Sequence, residues 1–268
     1  MKNMSHDILS ILRKASVAVL EIYSDVSKFN TEYKQDQSPL TEADKKSNEI
    51  IYEGLTELYP GIPIISEESK QEGYHKRSNY HQYFLVDPLD GTKEFINRNG
   101  EFTINIAYLE GHFPVGGFVL VPVTGVAYLA EKGNGAFTIS RNEEKSELRS
   151  KPFYLMDRGL KVVASRSHRD PNTDKIIAQL NEPEIVSSGS SLKFLFIAEG
   201  KANFYPRLGP TMEWDTAAAQ CVLEESGGSV IRSNDLQPLN YNKEDLLNPH
   251  FMALGALLDP ESLRKILH

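Results

Sequence analysis

Val86-Asp87-Pro88-Leu89-Asp90-Gly91-Thr92 is the stretch on which the reading of this chain turns. The apolar run Tyr83-Phe84-Leu85-Val86 before it predicts a short strand, which delivers Asp87 at its end. Pro88 holds one backbone angle. Gly91 permits tight backbone geometry and close approach of a ligand. Thr92 falls where a following helix would begin, and the free N–H groups of such an end suit a phosphate. Two aspartates three residues apart repel each other unless a divalent cation lies between them. Oxygen-only ligands select a hard ion, Mg²⁺ before Zn²⁺. The same residues also make an ordinary Asp-Pro-x-Asp-Gly surface turn, and this segment alone leaves both readings open.

Other acidic turns lie outward along the chain. Ser66-Glu67-Glu68-Ser69 follows the expected buried strand Ile62–Ser66, although a Glu-Glu pair is also a common solvated loop. Glu213-Trp214-Asp215 precedes Thr216-Ala-Ala-Ala, where the bland alternative is a helix N-cap. Thr41-Glu-Ala-Asp44 has the spacing of a capping box. Acidic turns that each stand at the end of an element favour one metal centre over four coincidences. The seven histidines are scattered, and no Ser or Cys sits in an elbow motif, so water is preferred as the nucleophile.

Periodicity organises the rest. Apolar residues at three- and four-residue steps predict a helix over 5–27, and a second helix runs from Thr41 to about Leu58. Residues 70–82 read as a polar loop. Phe102–Leu109, Val115–Val121 and Val126–Glu131, punctuated by glycines, read as an antiparallel meander, with a hairpin turn at Gly133-Asn134-Gly135. Residues 140–152 are charged and strand-poor, which suggests a boundary between halves 1–145 and 146–268. The second half alternates: strand 162–164, helix 171–181, strand 185–188, helix 190–200, strand 203–206, helix 214–226, and a last helix from Asp259 to Leu267. Alternation of this kind argues α/β, after an α+β first half. Cys221, Trp214 and Tyr205 read as packing residues.

Composition bounds the function. Of 268 residues, 40% are hydrophobic and 25% charged, ordinary globular values that exclude a disordered, collagenous or coiled-coil chain. One cysteine excludes an intrachain disulfide and a cysteine metal cluster, and suits a reducing compartment. A net charge of −8 disfavours nucleic-acid polymers and anionic membranes. The N-terminus lacks the unbroken apolar core of a signal peptide, and no apolar run is long enough for a transmembrane segment. The expectation is a cytoplasmic protein, with attachment to the inner face of the membrane and the choice between monomer and dimer left open.

Asp87-Pro-Leu-Asp-Gly-Thr92, Ser-Glu67-Glu68-Ser and Trp214-Asp215-x-Ala-Ala with Gly227-Gly228 downstream resemble the signatures of the inositol monophosphatase-like phosphatases, from Asp36 to about Pro249. Ser38-Pro-Leu-Thr-Glu-Ala-Asp44, Lys93-Glu94-Phe95, Ser165-Arg-Ser-His168, Gly189-Ser-Ser-Leu-Lys193-Phe and Tyr205-Pro-Arg207 are similar to the CysQ-type 3'(2'),5'-bisphosphate nucleotidases of that superfamily. The resemblance implies a five-layer αβαβα sandwich of the inositol monophosphatase and sugar phosphatase type. It also implies a Mg²⁺-dependent, lithium-sensitive hydrolase that takes adenosine 3',5'-bisphosphate to AMP and phosphate, with the sulfated form as a further substrate, in sulfate assimilation and nucleotide recycling. Two Mg²⁺, or three, are implied per site. Glu67, Asp87 and the Leu89 carbonyl would hold the first; Asp87, Asp90 and Asp215 the second; Glu67 would help with a weaker third. Asp44 and Thr92 would orient and deprotonate the attacking water. Gly91 and Thr92 N–H groups would hold the phosphate. Substrate contacts would extend to Ser165, His168, Ser190, Lys193 and Arg207, with Ser191 offering its hydroxyl and helix N–H. An inositol phosphate or other small sugar-phosphate phosphatase would share every metal ligand. The readings outside catalysis are an inactive Mg²⁺- and nucleotide-binding sensor, which the presence of Asp44 and Thr92 disfavours, and an acidic scaffold.

Overall fold

A computed structural model describes residues 4–25, 27, 29, 31–33, 39–164 and 170–267 of the chain. Helix α1 (Met4–Tyr23) buries Ile8, Ile11, Leu12, Ala15, Val19 and Ile22 along one face, the stripe that its sequence spacing predicts. It ends short of the expected residue 27 because the Asp25 carboxylate accepts the Ser27 N–H and hydroxyl and turns the chain. A two-stranded antiparallel ribbon, β1 (Glu32–Tyr33) and β2 (Pro39–Leu40), leads into α2 (Glu42–Leu58).

There follow β3 (Ile64–Ser66), α3 (Tyr74–Arg77), β4 (Gln82–Asp90), α4 (Thr92–Ile96), β5 (Thr103–Glu110), β6 (Phe113–Val121), β7 (Val126–Glu131), β8 (Ala136–Ile139) and β9 (Lys145–Glu147). The strands form one seven-stranded sheet in sequence order, with β3 parallel to β4 and every later pair antiparallel. Two expectations are corrected. The stretch read as strand-poor contains β9, an exposed edge strand whose charged residues hide it from a hydrophobic pattern. The polar loop at 70–82 contains α3, a single turn that buries Arg77.

The second half contributes β10 (Pro152–Phe153), β11 (Lys161–Ala164), α5 (Pro171–Ile177), β12 (Glu184–Ser187), α6 (Leu192–Ala198), β13 (Phe204–Arg207), α7 (Ala217–Glu225), β14 (Ser229–Arg232), β15 (Phe251–Leu254), β16 (Ala256–Leu257) and α8 (Leu263–Ile266). A five-stranded sheet has the order β12-β11-β13-β15-β14. Its β11 is parallel to both neighbours, while β15 is antiparallel to β13 and β14. The sequence reading lacks β14 and β15. Phe251-Met-Ala-Leu254 is buried on both faces, so it carries no alternation to read. The expected helix at 214–226 is split: Glu213–Asp215 is a 3₁₀ turn and α7 starts after it.

Three cores define the layers. Helices α1 and α2 cover one face of the large sheet through Ile8, Leu12, Ile51, Phe84, Ile106 and Phe118. Helices α6 and α7 fill the middle, against Leu85, Ala107 and Val119 of the large sheet and Tyr205, Phe251 and Ala253 of the small one. Helices α5 and α8 cover the far face through Ile176, Ile177, Leu263 and Ile266. The result is a five-layer αβαβα sandwich. The middle core draws side chains from both halves of the chain. Among the described residues no helix is long and apolar enough to cross a membrane.

Gly117 sets the spacing between the large sheet and α7. A Cβ there would lie 2.3 Å from the Ala218 carbonyl oxygen and 2.6 Å from Cys221 Cβ. Both obstacles are backbone or short side chain and cannot swing away. Gly117→Ala should therefore destabilise the protein by about 1–3 kcal/mol, read as a lower urea midpoint at unchanged slope.

Candidate metal centre

The parallel pairing of β3 and β4 sets Ser66 opposite Val86. The next residues on the two strands, Glu67 and Asp87, therefore emerge side by side, and the Glu67 N–H donates to the Val86 carbonyl at 3.1 Å. On the other side of β4 the register reads Asp87↔Asn105 and Asp90↔Thr103, so one extra residue is accommodated between the two aspartates. In a regular strand, residues three apart face opposite sides of the sheet. The bulge turns Asp90 onto the face of Asp87, and Pro88, which cannot donate to the ladder, is compatible with it.

Asp215 arrives from the opposite layer on the 3₁₀ turn before α7. Its Oδ2 accepts the Met212 N–H at 2.9 Å. One ligand oxygen from each of Glu67, Asp87 and Asp215 lies within 4.8 Å of the others. Burial is the largest cause that raises the Asp87 carboxyl far above its ordinary value, and Glu67, Asp90 and Asp215 add repulsion. Burial likewise raises Asp215, with Asp90 and Glu67 next. A set of mutually repelling, oxygen-only donors, with Asp87 buried and Glu67 and Asp215 half-buried, fits a hard divalent ion.

Asp44 stands at the third position of α2 and serves two neighbours with its two oxygens. Oδ2 accepts the N–H and hydroxyl of the N-cap residue Thr41 at 2.7 and 2.5 Å. Oδ1 accepts the Thr92 hydroxyl at 3.1 Å. The capping box and the contact expected for catalysis are thus both present. Burial is the main cause that raises the Asp44 carboxyl, and its hydrogen bonds to Thr41 and Thr92 pull the other way. Thr92 opens α4, and its hydroxyl lies 3.4 Å from the Leu89 carbonyl. Gly91 before it has φ +96°, and a Cβ there would approach the Glu101 carbonyl oxygen and Ser190 Cβ to 3.2 Å each.

Asp90 is not one of the three clustered carboxylates. Its Oδ2 accepts the Ser191 N–H at 2.6 Å and the Ser191 hydroxyl at 2.7 Å, and Asn105 Nδ2 lies at 3.3 Å. This corrects the expectation that Ser191 turns its hydroxyl and helix N–H to a substrate: the nearer anion is Asp90. The Ser190 hydroxyl lies 3.0 Å from that of Thr103. Sequence reasoning missed Thr103 and Asn105. They are two polar residues on the same face of β5, in a stretch whose other residues from Ile104 to Leu109 are buried hydrophobics, and that break in pattern is their signal. Lys193 and Arg207 do meet, in a cavity of about 180 Å³ that Asp90, Ser190, Tyr205 and Asp215 also line. Lys193 Nζ donates to the Ser190 carbonyl at 2.9 Å and Arg207 to the Pro210 carbonyl at 2.8 Å. The buried Arg207 Nε has no hydrogen-bond partner. Burial pulls the Lys193 ammonium below its ordinary value, against the pull of Asp90. Ser165 and His168 lie outside the described residues.

The sequence model of the inositol monophosphatase family matches residues 4–259. The chain belongs to the inositol monophosphatase family. Within it, the 3'(2'),5'-bisphosphate nucleotidase CysQ of Escherichia coli strain K12 is 41% identical over 251 residues, covering 92% of this chain and 98% of that protein. The CysQ of Haemophilus influenzae is 33% identical over 256 residues, 95% of this chain and 93% of its own. The crystal structure of CysQ from Bacteroides thetaiotaomicron superposes with a TM-score of 0.82 at 39% identity, over 95% of this chain and 98% of that one. An inositol monophosphatase from Anabaena has a TM-score of 0.74 at 19% identity over all of this chain and 95% of its own, a likeness of fold.

The raised carboxyls make this family member's stability depend on metal and pH together. Between the ordinary carboxylate pKa of the unfolded chain and the raised values of Asp87 and Asp215, the folded state holds more protons, so metal-free stability falls as pH rises through that window. A divalent ion competes with those protons. Mg²⁺ should raise the thermal midpoint, and by more at pH 8 than at pH 5.5, as differential scanning fluorimetry at both pH values would read.

Proposed function

We propose that this chain is a Mg²⁺-dependent phosphatase that hydrolyses the 3'-phosphate of adenosine 3',5'-bisphosphate to AMP and inorganic phosphate. The observation that carries the reading is the clustered group Glu67, Asp87 and Asp215 beside a hydrogen-bonded Asp44–Thr92 pair, in a chain 41% identical to a bisphosphate nucleotidase over nearly its whole length. In this reading Glu67, Asp87 and the Leu89 carbonyl would hold one Mg²⁺. Asp87, Asp90 and Asp215 would hold a second, and Glu67 would help to hold a weaker third. When bound, such ions acidify a water near neutral pH and offset charge on the phosphoryl and leaving oxygens.

The chain's own groups do the rest. The Thr92 hydroxyl, 3.1 Å from Asp44 Oδ1, takes a proton from the attacking water as its own passes to Asp44. The raised pKa of the Asp44 carboxyl suits it to accept that proton. The water oxygen bonds to phosphorus, the bond to the ribose 3'-oxygen breaks, and that oxygen is protonated from solvent. Gly91 and Thr92 N–H groups hold the transferred phosphate. The clamping of Asp90 Oδ2 by Ser191, whose hydroxyl also lies 3.0 Å from the Asp215 carbonyl, holds the Asp90 carboxylate next to the Asp215 turn and supports its part.

Phosphate release from a panel of 3',5'- and 2',5'-bisphosphates, AMP and inositol phosphates, with and without Mg²⁺ and with Li⁺, should show a preference for bisphosphate nucleotides, dependence on Mg²⁺ and inhibition by Li⁺. Asp90→Asn should lower turnover by more than about a hundredfold while the protein stays folded by circular dichroism. Preference for inositol phosphates would replace the substrate; no release from any member would favour the sensor.

The cavity of Lys193 and Arg207 supports a second anionic anchor. Its orphaned Nε and lowered ammonium pKa both suit a phosphate that arrives with its charge. Lys193→Ala should cost bisphosphate kcat/KM about tenfold to a hundredfold and monophosphate kcat/KM much less. Equal losses on both would remove the anchor.

A further inference from the structure

Arg77 and Asn242 form a buried polar contact that the chemistry above does not use. Arg77 is 4% exposed and Asn242 1%. The guanidinium donates to the carbonyls of Glu72 at 3.0 Å, Lys243 at 3.2 Å and Glu244 at 3.1 Å, and to Asn242 Oδ1 at 2.8 Å. Asn242 Nδ2 returns a bond to the Arg77 carbonyl at 2.7 Å. The two residues are 165 positions apart in sequence.

Each end of this contact leads to a metal-bearing segment. On one side, the Asn242 N–H donates to Glu213 Oε2 at 2.5 Å, and Lys243 donates to Oε1 through both its N–H, at 3.1 Å, and its ammonium. Glu213 is fully buried and stands two residues before Asp215 on the same 3₁₀ turn. On the other side, the Gln71 amide donates to the carbonyls of Ser66 and Ser69, folding the chain after Glu67 back on β3. Arg77 then grips that segment at Glu72. We propose that Arg77 and Asn242 are positioning residues for the metal centre: they tie the segment carrying Glu67 to the turn carrying Asp215, and so set the affinity for Mg²⁺. This rests on the metal reading given above.

The physical case is a balance of repulsion and restraint. Glu67 and Asp215 bring carboxylate oxygens within 4.8 Å of each other across the centre, and like charges so close drive their segments apart until a cation joins them. A clamp between those segments keeps the carboxylates gathered beforehand, so less of the binding free energy goes into reassembly. A guanidinium buried only for stability could be replaced by an apolar side chain at little cost. Here it joins two segments through four hydrogen bonds, which an apolar side chain could not make.

Asn242→Gly tests this cleanly. Asn242 has φ +58°, a conformation that glycine adopts freely, and its N–H bond to Glu213 is untouched by the change. Arg77→Lys is the second variant. In the full chain, the thermal midpoint and the hydrolysis of adenosine 3',5'-bisphosphate are each followed against Mg²⁺ concentration. The half-saturating Mg²⁺ should rise about tenfold in both measurements, while kcat recovers at saturating Mg²⁺. An unchanged half-saturation in Asn242→Gly, whatever its midpoint without metal, overturns the clamp. So does a fall in kcat that excess Mg²⁺ leaves in place. A wild-type protein with no Mg²⁺-dependent midpoint overturns the metal reading itself, and that arm is read before any variant. If Arg77→Lys does not fold, Asn242→Gly decides alone.

Discussion

Carboxylates that repel one another around a buried Asp87 are the constraint around which this molecule is arranged. Asp87 is 1% exposed, and Glu67, Asp90 and Asp215, half-buried, repel it from close by. Charge concentrated in this way is unfavourable unless cations enter. The surrounding structure is spent on keeping these groups together in the meantime. The parallel pairing of β3 with β4 aligns two of them. A bulge rotates the third. A 3₁₀ turn from another layer brings the fourth.

Hydrogen bonds then divide the work between the two oxygens of each carboxyl. Asp44 gives Oδ2 to the start of α2 and Oδ1 to Thr92. Asp90 gives Oδ2 to Ser191. Asp215 gives Oδ2 to the Met212 N–H. In each case one oxygen fixes the side chain to backbone or hydroxyl and so sets the direction of the other. Side chains held in this way pay less entropy when a ligand arrives. The hydroxyl of Ser191, the residue that caps α6, also lies 3.0 Å from the Asp215 carbonyl, between the two acidic segments.

The layered architecture makes these contacts possible. The middle layer, α6 and α7, touches both sheets, and the residues before each helix point into the same space. Gly117 lets α7 come close enough for the 3₁₀ turn ahead of it to reach β4. Helix packing thus acts on the chemistry through distance: a wider gap between sheet and helix would withdraw Asp215 from Glu67.

Much of this was legible in the chain itself. Local rules placed α1, α2 and the meander, because amphipathic spacing and glycine punctuation are short-range signals. The acidic turns were legible too, since an aspartate beside Pro or Gly at an element's end is a local pattern, and so was the pairing of Thr41 with Asp44. Other features had no local signature. An exposed, charged edge strand such as β9, or a strand buried on both faces such as β15, shows no alternation. The attachment of Asp90 to Ser191, the presence of Asn105 at the centre, and the contact of Arg77 with Asn242 join residues about a hundred positions apart or more, or depend on one extra residue in a strand pairing. The sequence by itself determined which side chains carry charge and where the amphipathic helices and the meander lie. Only the tertiary structure decided which donors hold Asp44 and Asp90, because Thr92 and Ser191 are brought to them from distant elements by packing.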